Sequence, residues 1–129
     1  MPIVKVEEST IRSITEQQEI ISCIFKNLKN IFGVADEELQ ARYQYFSADT
    51  FYSPSNNSNY IHIEIILFKG RSLNAKRKLY KQITIDLASL LNILPKDILI
   101  LLNEQVSENW GMHGGLSADE IDFGYNIFI

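Results

Sequence analysis

The 129-residue chain has a single cysteine, Cys23, and only two histidines. One cysteine cannot form a disulfide within the chain, which excludes a disulfide-stabilised secreted domain and suits a reducing compartment. Cys23 falls within a helical pattern, and we interpret it as a small buried hydrophobic residue. The sequence also lacks a zinc-ligand spacing, a phosphate-binding loop and a Ser-His-Asp order.

Positive charge is scarce as well. Lys and Arg number 12 against 16 Asp and Glu, for a net charge of −4, so a nucleic-acid-binding surface is not expected. No apolar run reaches membrane-spanning length, and charged and polar residues fill positions 5 to 19, which argues against a secretory signal. We therefore expect a cytoplasmic protein without nucleic-acid or membrane partners. The length and a hydrophobic content of 46% predict one globular domain, residues 1–129.

The first half of the chain has the pattern of a β-α-β unit. Residues 2–8 alternate as a strand does, and Ser13 with Glu16 forms a capping box. An apolar stripe at helical spacing then runs to Gly33, which fits a helix C-cap. The acidic run Asp36-Glu37-Glu38 predicts a solvated turn, and a second strand is predicted from Tyr43 to Ala48.

The second half repeats this order after a polar loop at 53–59. An almost continuously apolar strand at 60–68 is followed by a helical pattern ending before Pro95 and by a strand at 98–102. The tail contains a glycine-rich segment after Trp110. It ends in an alternating stretch from Phe123 to Ile129, which predicts a final strand with one buried face.

The two halves are related by a shift of 59 residues, under which Arg12-Ser13 falls on Arg71-Ser72. We interpret them as pseudo-repeats at 2–52 and 60–106, followed by a tail at 107–129. Right-handed β-α-β units would join into a four-stranded mixed sheet with both helices on one face. Apolar residues point to both faces of the third strand. The uncovered face is therefore predicted to pack against other copies of the chain.

Pro2 directly follows the initiator, at the start of the first strand. Removal of Met1 would leave a secondary amine whose pKa starts near the α-amino value of about 8. Burial and nearby cations would lower that pKa and produce a general base usable near neutral pH. The alternative is that Pro2 only begins an edge strand, where a missing N–H costs nothing.

Taken together, the Met1-Pro2 start, the Arg-Ser turns at Arg12 and Arg71, the two-unit layout and the glycine-rich tail resemble the tautomerase superfamily. The resemblance is to the 4-oxalocrotonate tautomerase type in its long, fused form, with a layout similar to the malonate semialdehyde decarboxylase-like members. It implies an α+β fold of the tautomerase or MIF-like kind, with two fused β-α-β units and a C-terminal hairpin. It also implies a homotrimer, no cofactor, and Pro2 as the catalytic base.

The same resemblance assigns binding residues. Arg71 matches the arginine that holds the substrate carboxylate and stabilises the enolate, and Lys69 stands where decarboxylase-like members have another arginine. Trp110 and Met112 match the apolar wall that keeps water from the amine. Arg42 matches a second binding arginine, although a nearby insertion leaves its register open.

These assignments favour keto–enol tautomerisation of a 2-oxo acid, with phenylpyruvate or a 2-hydroxydienoate as the kind of substrate expected. The alternatives are decarboxylation or dehalogenation of a three-carbon acid, and a non-enzymatic trimeric module that binds a small molecule or a protein. Ala41 stands where decarboxylase-like members have an acidic residue, which argues against the first alternative. Because Pro2 falls on Ile61 in the repeat, we expect one working site, with Pro2 facing Arg71 and Arg12 facing Ile61.

Overall fold

Strands and helices alternate in two successive β-α-β units. The computed structural model describes residues 2–129, and the expected removal of Met1 lies outside the described part. The helices are α1 (Ile14–Phe32) and α2 (Leu73–Leu91). The strands are β1 (Ile3–Glu8), β2 (Gln40–Tyr45), β3 (Ile61–Phe68), β4 (Ile98–Gln105), β5 (Gly111–Met112) and β6 (Leu116–Ser117).

The main sheet has the strand order β2-β1-β3-β4, and β5 and β6 form a separate hairpin. β1 pairs with β2, and β3 with β4, in parallel, whereas the central β1–β3 pair is antiparallel. The helices cover one face of the sheet, where the buried core includes Val4, Val6, Ile20, Ile24, Ile63, Ile65, Leu79 and Ile83. The predicted α+β architecture of two fused units with a C-terminal hairpin is therefore confirmed.

The helix ends follow the local signals in the sequence. The Ser13 hydroxyl accepts from the Glu16 N–H at 3.1 Å, and the Glu16 carboxylate accepts from the Ser13 N–H at 2.9 Å. Gly33 ends α1 at φ 67°. Asn92, 59 residues further on, ends α2 at φ 52°.

The two units meet at residues 59 positions apart. Lys5 and Glu64 lie opposite each other in the β1–β3 ladder, with 3.9 Å between Lys5 Nζ and Glu64 Oε1. On the helices, Asn27 donates to Asp86 Oδ2 at 3.0 Å, and these two residues are also 59 positions apart. An approximate twofold axis therefore passes through the centre of the sheet and between the helices.

The open face of the sheet is more polar than we predicted. Lys5, Glu7, His62 and Glu64 point away from the helices at its centre, and Glu7 Oε1 lies 3.1 Å from His62 Nδ1. The apolar exposed side chains of this face are concentrated on β4, at Leu99 and Leu101. The prediction rested on apolar residues at both faces of the third strand, but strict alternation along β3 puts His62 and Glu64 on the same face as Ile66.

The predicted final strand at 123–129 does not form. Short side chains redirect the backbone instead: Asp122 accepts from the Gly124 N–H and Asn126 from the Phe128 N–H, both at 2.9 Å. Such local turns compete with extended structure. Gly124 also has φ 75°, which lies outside the strand region.

Candidate active site

Pro2 is buried and immediately precedes β1. Ile3 pairs with Ile66 near the end of β3 and with Gln40 at the start of β2. The start of β1, the start of β2 and the turn that follows β3 therefore meet at one end of the strands, the end at which β1 begins. We call this the proline edge, and it comprises Pro2, the approach to β2 at Glu38–Gln40, and the turn Phe68–Arg71.

Arg71 is the buried cation of the proline edge. It is only 6% exposed, and its guanidinium carbon lies 4.8 Å from the centre of the Phe32 ring. Its Nη1 donates to the Phe68 carbonyl at 3.1 Å. Its Nε is buried and has no hydrogen-bond partner within residues 2–129. The guanidinium is thus held in place while its Nε lacks an acceptor, and an anionic oxygen is an acceptor that suits such a donor.

Burial lowers the pKa of Arg71, while the neighbouring Tyr125 and Glu104 act in the opposite direction. An arginine keeps its charge despite such a shift, because its ordinary pKa is far above neutral. The site therefore contains a desolvated positive charge, and a carboxylate would be attracted to it more strongly there than in water.

Two residues at the proline edge were not foreseen as site residues. Tyr125 forms a side-chain hydrogen bond with Arg71, and burial raises the pKa of its phenol, with Glu38 adding to that rise. Glu38 is 7% exposed, so the prediction of a solvated acidic turn is wrong for this residue. Asp36 and Glu37 are exposed as predicted, but the last residue of the short helical turn faces inward just before β2.

Trp110 approaches the proline edge through Phe68. The two rings pack edge to face with centres 5.2 Å apart, and Phe68 is 1% exposed. The indole Nε1 is buried without a hydrogen-bond partner in the described part of the chain. Met112 follows in the β5–β6 hairpin and is half-buried. Trp110 thus supplies an apolar surface and a second unused N–H donor close to the turn that carries Arg71.

The remaining predicted binding residues lie further out. Lys69 is exposed in the turn after β3, and its backbone N–H donates to the Gln105 carbonyl at 2.8 Å. Arg42 is exposed on the open face, level with Lys5, and donates to Gln40 Oε1 at 3.0 Å. Within one chain, Arg42 therefore contacts the proline edge only through Gln40, and its side chain lies on the open face.

Arg12, the arginine equivalent to Arg71, lies at the opposite end of the strands and has different surroundings. Glu8 is fully buried at the end of β1, where it pairs with Ile61. Its Oε2 accepts from Arg12 Nε at 2.7 Å and from the Tyr43 hydroxyl. Burial and the hydrogen bond to Glu8 raise the pKa of Tyr43. The charge of Arg12 is thus neutralised from within the chain.

A cavity larger than the one beside the proline edge lies at the opposite end of the sheet. A cavity of about 740 Å³ lies between residues 54–60 and 92–99, but neither Pro2 nor an arginine lines it. A smaller cavity of about 230 Å³ adjoins Phe68, Phe123 and Tyr125 beside the proline edge. Catalysis on an acid substrate requires a base and a positive charge, and Pro2 and Arg71 could supply them. We therefore assign the candidate site to the proline edge. Within residues 2–129, no group of three His, Cys, Asp or Glu side chains is arranged to hold a metal ion.

Comparison with known proteins agrees with the fold described above. A protein family described as tautomerase enzymes matches residues 40–113. Native fused 4-OT is similar in structure at a TM-score of 0.82 and 17% identity, over 92% of this chain and 98% of that one. A malonate semialdehyde decarboxylase matches at 0.76 and 15%, over 91% and 92%. A member of the cis-3-chloroacrylic acid dehalogenase family matches at 0.82 and 18%, over 95% and 85%.

None of the helices within residues 2–129 is long and apolar enough to cross a membrane.

Proposed function

Because the chain belongs to the tautomerase enzyme family, we propose that it isomerises a 2-oxo acid between its keto and enol forms without a cofactor. The observation that carries this proposal is Arg71, a buried guanidinium with an unused Nε donor on the turn beside Pro2. A phenylpyruvate-like or 2-hydroxydienoate-like acid has the carboxylate that such a cation would bind.

In this proposal Pro2 is the general base. Once Met1 is removed, the Pro2 nitrogen is a secondary amine, and burial together with the nearby positive charge lowers the pKa of such an amine. The neutral amine takes a proton from the enol oxygen or from carbon, and the resulting ammonium returns it to the other position. Protons balance within one cycle, and no other reactant is consumed.

Arg71 holds the substrate carboxylate and stabilises the negative charge that develops on the enolate oxygen. Phe68 and Trp110 form the apolar wall of the site, with Met112 beside them in the hairpin. Keeping water from the amine favours its neutral form and strengthens the attraction between Arg71 and the substrate. Exposed Lys69 attracts the anionic substrate towards the edge as a point charge.

We further propose a homotrimer in which the open sheet faces surround a central axis. One related fused 4-OT structure is described as a symmetric trimer. Leu99 and Leu101 are 47% and 49% exposed on the open face, and an assembly would cover them. In such an assembly, Arg42 would serve the proline edge of a neighbouring chain, since it meets that of its own chain only at Gln40.

Decarboxylation or dehalogenation of a three-carbon acid is the second candidate. The buried carboxylate of Glu38 favours it, because Glu38 would supply the acidic group that is missing at Ala41. Glu38 next to Tyr125 would orient a carboxyl group or a water molecule. Release of carbon dioxide from malonate semialdehyde, or of chloride from cis-3-chloroacrylate, that disappears in Glu38→Gln would favour this candidate over tautomerisation.

The deciding experiment is an ultraviolet assay of the untagged enzyme and of Pro2→Ala on enol phenylpyruvate. Loss of a general base should reduce turnover by about 10²- to 10⁴-fold. Mass spectrometry of the same samples should find the chain without Met1. Turnover that is unchanged in Pro2→Ala, or a natural chain that retains Met1, would remove the mechanism. No turnover by the natural chain, together with binding of the acid, would favour the non-enzymatic module.

A further inference from the structure

The two arginines related by the repeat differ in what faces them. Arg12 and Arg71 occupy equivalent turns before α1 and α2, 59 residues apart. The residue equivalent to Glu8 in the second half is Leu67, which is 2% exposed and on the same face of the sheet. Arg12 therefore meets a carboxylate from its own chain, whereas the equivalent position beside Arg71 holds an apolar side chain.

We propose that Arg12 and Tyr43 form a second carboxylate-binding site, which the chain fills from within by the carboxylate of Glu8. Two donors converge on Glu8 Oε2, Arg12 Nε at 2.7 Å and the Tyr43 hydroxyl. Glu8 Oε1 is buried and has no hydrogen-bond partner among residues 2–129. The proposal rests on the proposed function only for its interpretation of Arg71 as a carboxylate-binding residue.

The backbone that carries these two donors is held by contacts other than those to Glu8. Tyr43 lies in β2, where it pairs with Val6 of β1. The Arg12 carbonyl accepts from Gln17 Nε2 at 3.2 Å, and the next residue, Ser13, is fixed by the capping box. Removal of the Glu8 side chain should therefore leave the donors in place around a cavity the size of a small carboxylic acid.

The filled site also explains why one chain would have a single substrate position. Ile61, equivalent to Pro2, has an amide nitrogen and cannot act as a base. Glu8 additionally prevents a substrate carboxylate from reaching Arg12, so the first half neither binds nor turns over the acid. Glu8 is in this sense a specificity-determining residue, because it confines acid binding to the proline edge.

The test is chemical rescue of Glu8→Ala by free carboxylates. The variant should unfold at a lower temperature than the wild type in sodium chloride. Sodium acetate or formate at equal ionic strength should raise the midpoint in a saturable manner, by on the order of 5 °C. The wild type should respond equally to acetate and chloride. If the variant does not fold in chloride, refolding yield in acetate against chloride becomes the readout.

Two control variants separate a specific site from a general effect of salt. Glu8→Gln keeps the cavity filled and should not respond to acetate, and Glu8→Ala with Arg12→Leu lacks the cation and should not respond either. Equal midpoints of Glu8→Ala in acetate and chloride, or a chain that stays unfolded in every anion, would overturn the proposal. The readout is thermal, so it is independent of whether Pro2 supports turnover.

Discussion

At the scale of single residues, the molecule is defined by two arginines in equivalent places with opposite tasks. Arg12 is neutralised by Glu8, whereas Arg71 stacks on Phe32 and keeps one N–H donor unused within residues 2–129. A buried charge is tolerated because its partner compensates the cost of desolvation. Removing either partner leaves the other buried without compensation, which destabilises the fold. Arg71 is instead anchored while its Nε lacks an acceptor within residues 2–129, and we propose that a ligand supplies that acceptor.

The two arginines should therefore fail in different ways when they are truncated. Arg71→Ala should lower kcat/KM on enol phenylpyruvate by about 10²- to 10³-fold, because a donor to the enolate oxygen is lost. Arg12→Ala should keep near-normal turnover while folded, but its free energy of unfolding should fall by about 3–5 kcal/mol, because Glu8 remains buried without its cation. Steady-state kinetics and urea denaturation measure the two effects. Equal losses of turnover would contradict the assignment.

Tyr43 should make the fold sensitive to alkali. Its pKa is raised by burial and by Glu8, so the folded chain keeps the phenolic proton to higher pH than the unfolded chain. The resulting stability is fully present below the unfolded pKa of about 10 and is lost as the pH rises towards the folded pKa. Tyr43→Phe should remove this part of the alkaline loss and lower stability near neutrality by about 1–3 kcal/mol.

Urea denaturation of wild type and Tyr43→Phe between about pH 8 and pH 11 checks this expectation. Tyr45→Phe is the matched control, because Tyr45 lies in the same strand but is 48% exposed. The difference in unfolding free energy between wild type and Tyr43→Phe should shrink above pH 10, and that between wild type and Tyr45→Phe should stay small throughout. A Tyr43→Phe chain with the same alkaline slope as the wild type would argue against the Glu8 hydrogen bond.

At the scale of elements, the two helices are built alike and end alike. Each has 19 residues, begins after a serine cap and ends at a residue with positive φ. The first ends at Gly33 and the second at Asn92, and both glycine and asparagine tolerate this conformation. The ends of α1 and α2 lead into the short turns that precede β2 and β4. The caps therefore determine where the two outer strands of the sheet begin.

We expect that Gly33 is needed because of its positive φ, and not because a side chain there would clash with neighbouring atoms. A Cβ atom at Gly33 would meet no atom within 4 Å, but φ there is +67°. Gly33→Ala should therefore cost about 1 kcal/mol of unfolding free energy, measured by chemical denaturation. Gly111→Ala is the control, because its Cβ would also meet nothing and its φ is not positive. A similar cost at both glycines would show that backbone conformation is not the cause.

At the scale of the whole molecule, the question is what covers the open face of the sheet. Its centre is occupied by charged and histidine side chains that pair with one another, such as Glu7 with His62. Its apolar side chains, Leu99 and Leu101, lie on the outer strand β4. Charged groups at an interface fix the orientation of the partners, and the exposed leucines supply apolar area that an assembly would bury.

Light scattering at micromolar concentration should therefore find a trimer. Leu101→Glu should shift it towards monomer, because a charge would be buried at the proposed interface. Ile11→Glu is the matched control: Ile11 is 82% exposed just before α1, away from the open face. A wild-type chain that scatters as a stable monomer, or an equal response of the two variants, would exclude the assembly.

Much of this protein could be predicted from its sequence. Periodicity located the helices and most strands, although β2 begins at Gln40 instead of Tyr43 and no strand forms at 123–129. Ser13, Glu16 and Gly33 marked the helix ends, and the repeat and the resemblance indicated the fused two-unit fold. These features depend on neighbours within a few residues, or on a pattern that occurs twice. The proposed roles of Pro2 and Arg71 also came from the sequence and stay predictions until turnover is measured.

Only the tertiary structure decided which charges are paired, exposed or left available. Tyr43 meets Glu8 from 35 positions away because β1 and β2 pair in parallel. Tyr125 reaches Arg71 because the turns at Asp122 and Asn126 fold the tail back. Arg42 lies on the open face because the register of β2 against β1 puts it beside Lys5. Local patterns specify elements, but the partner of a buried charge depends on strand register and tail course, which are set by contacts distant in sequence.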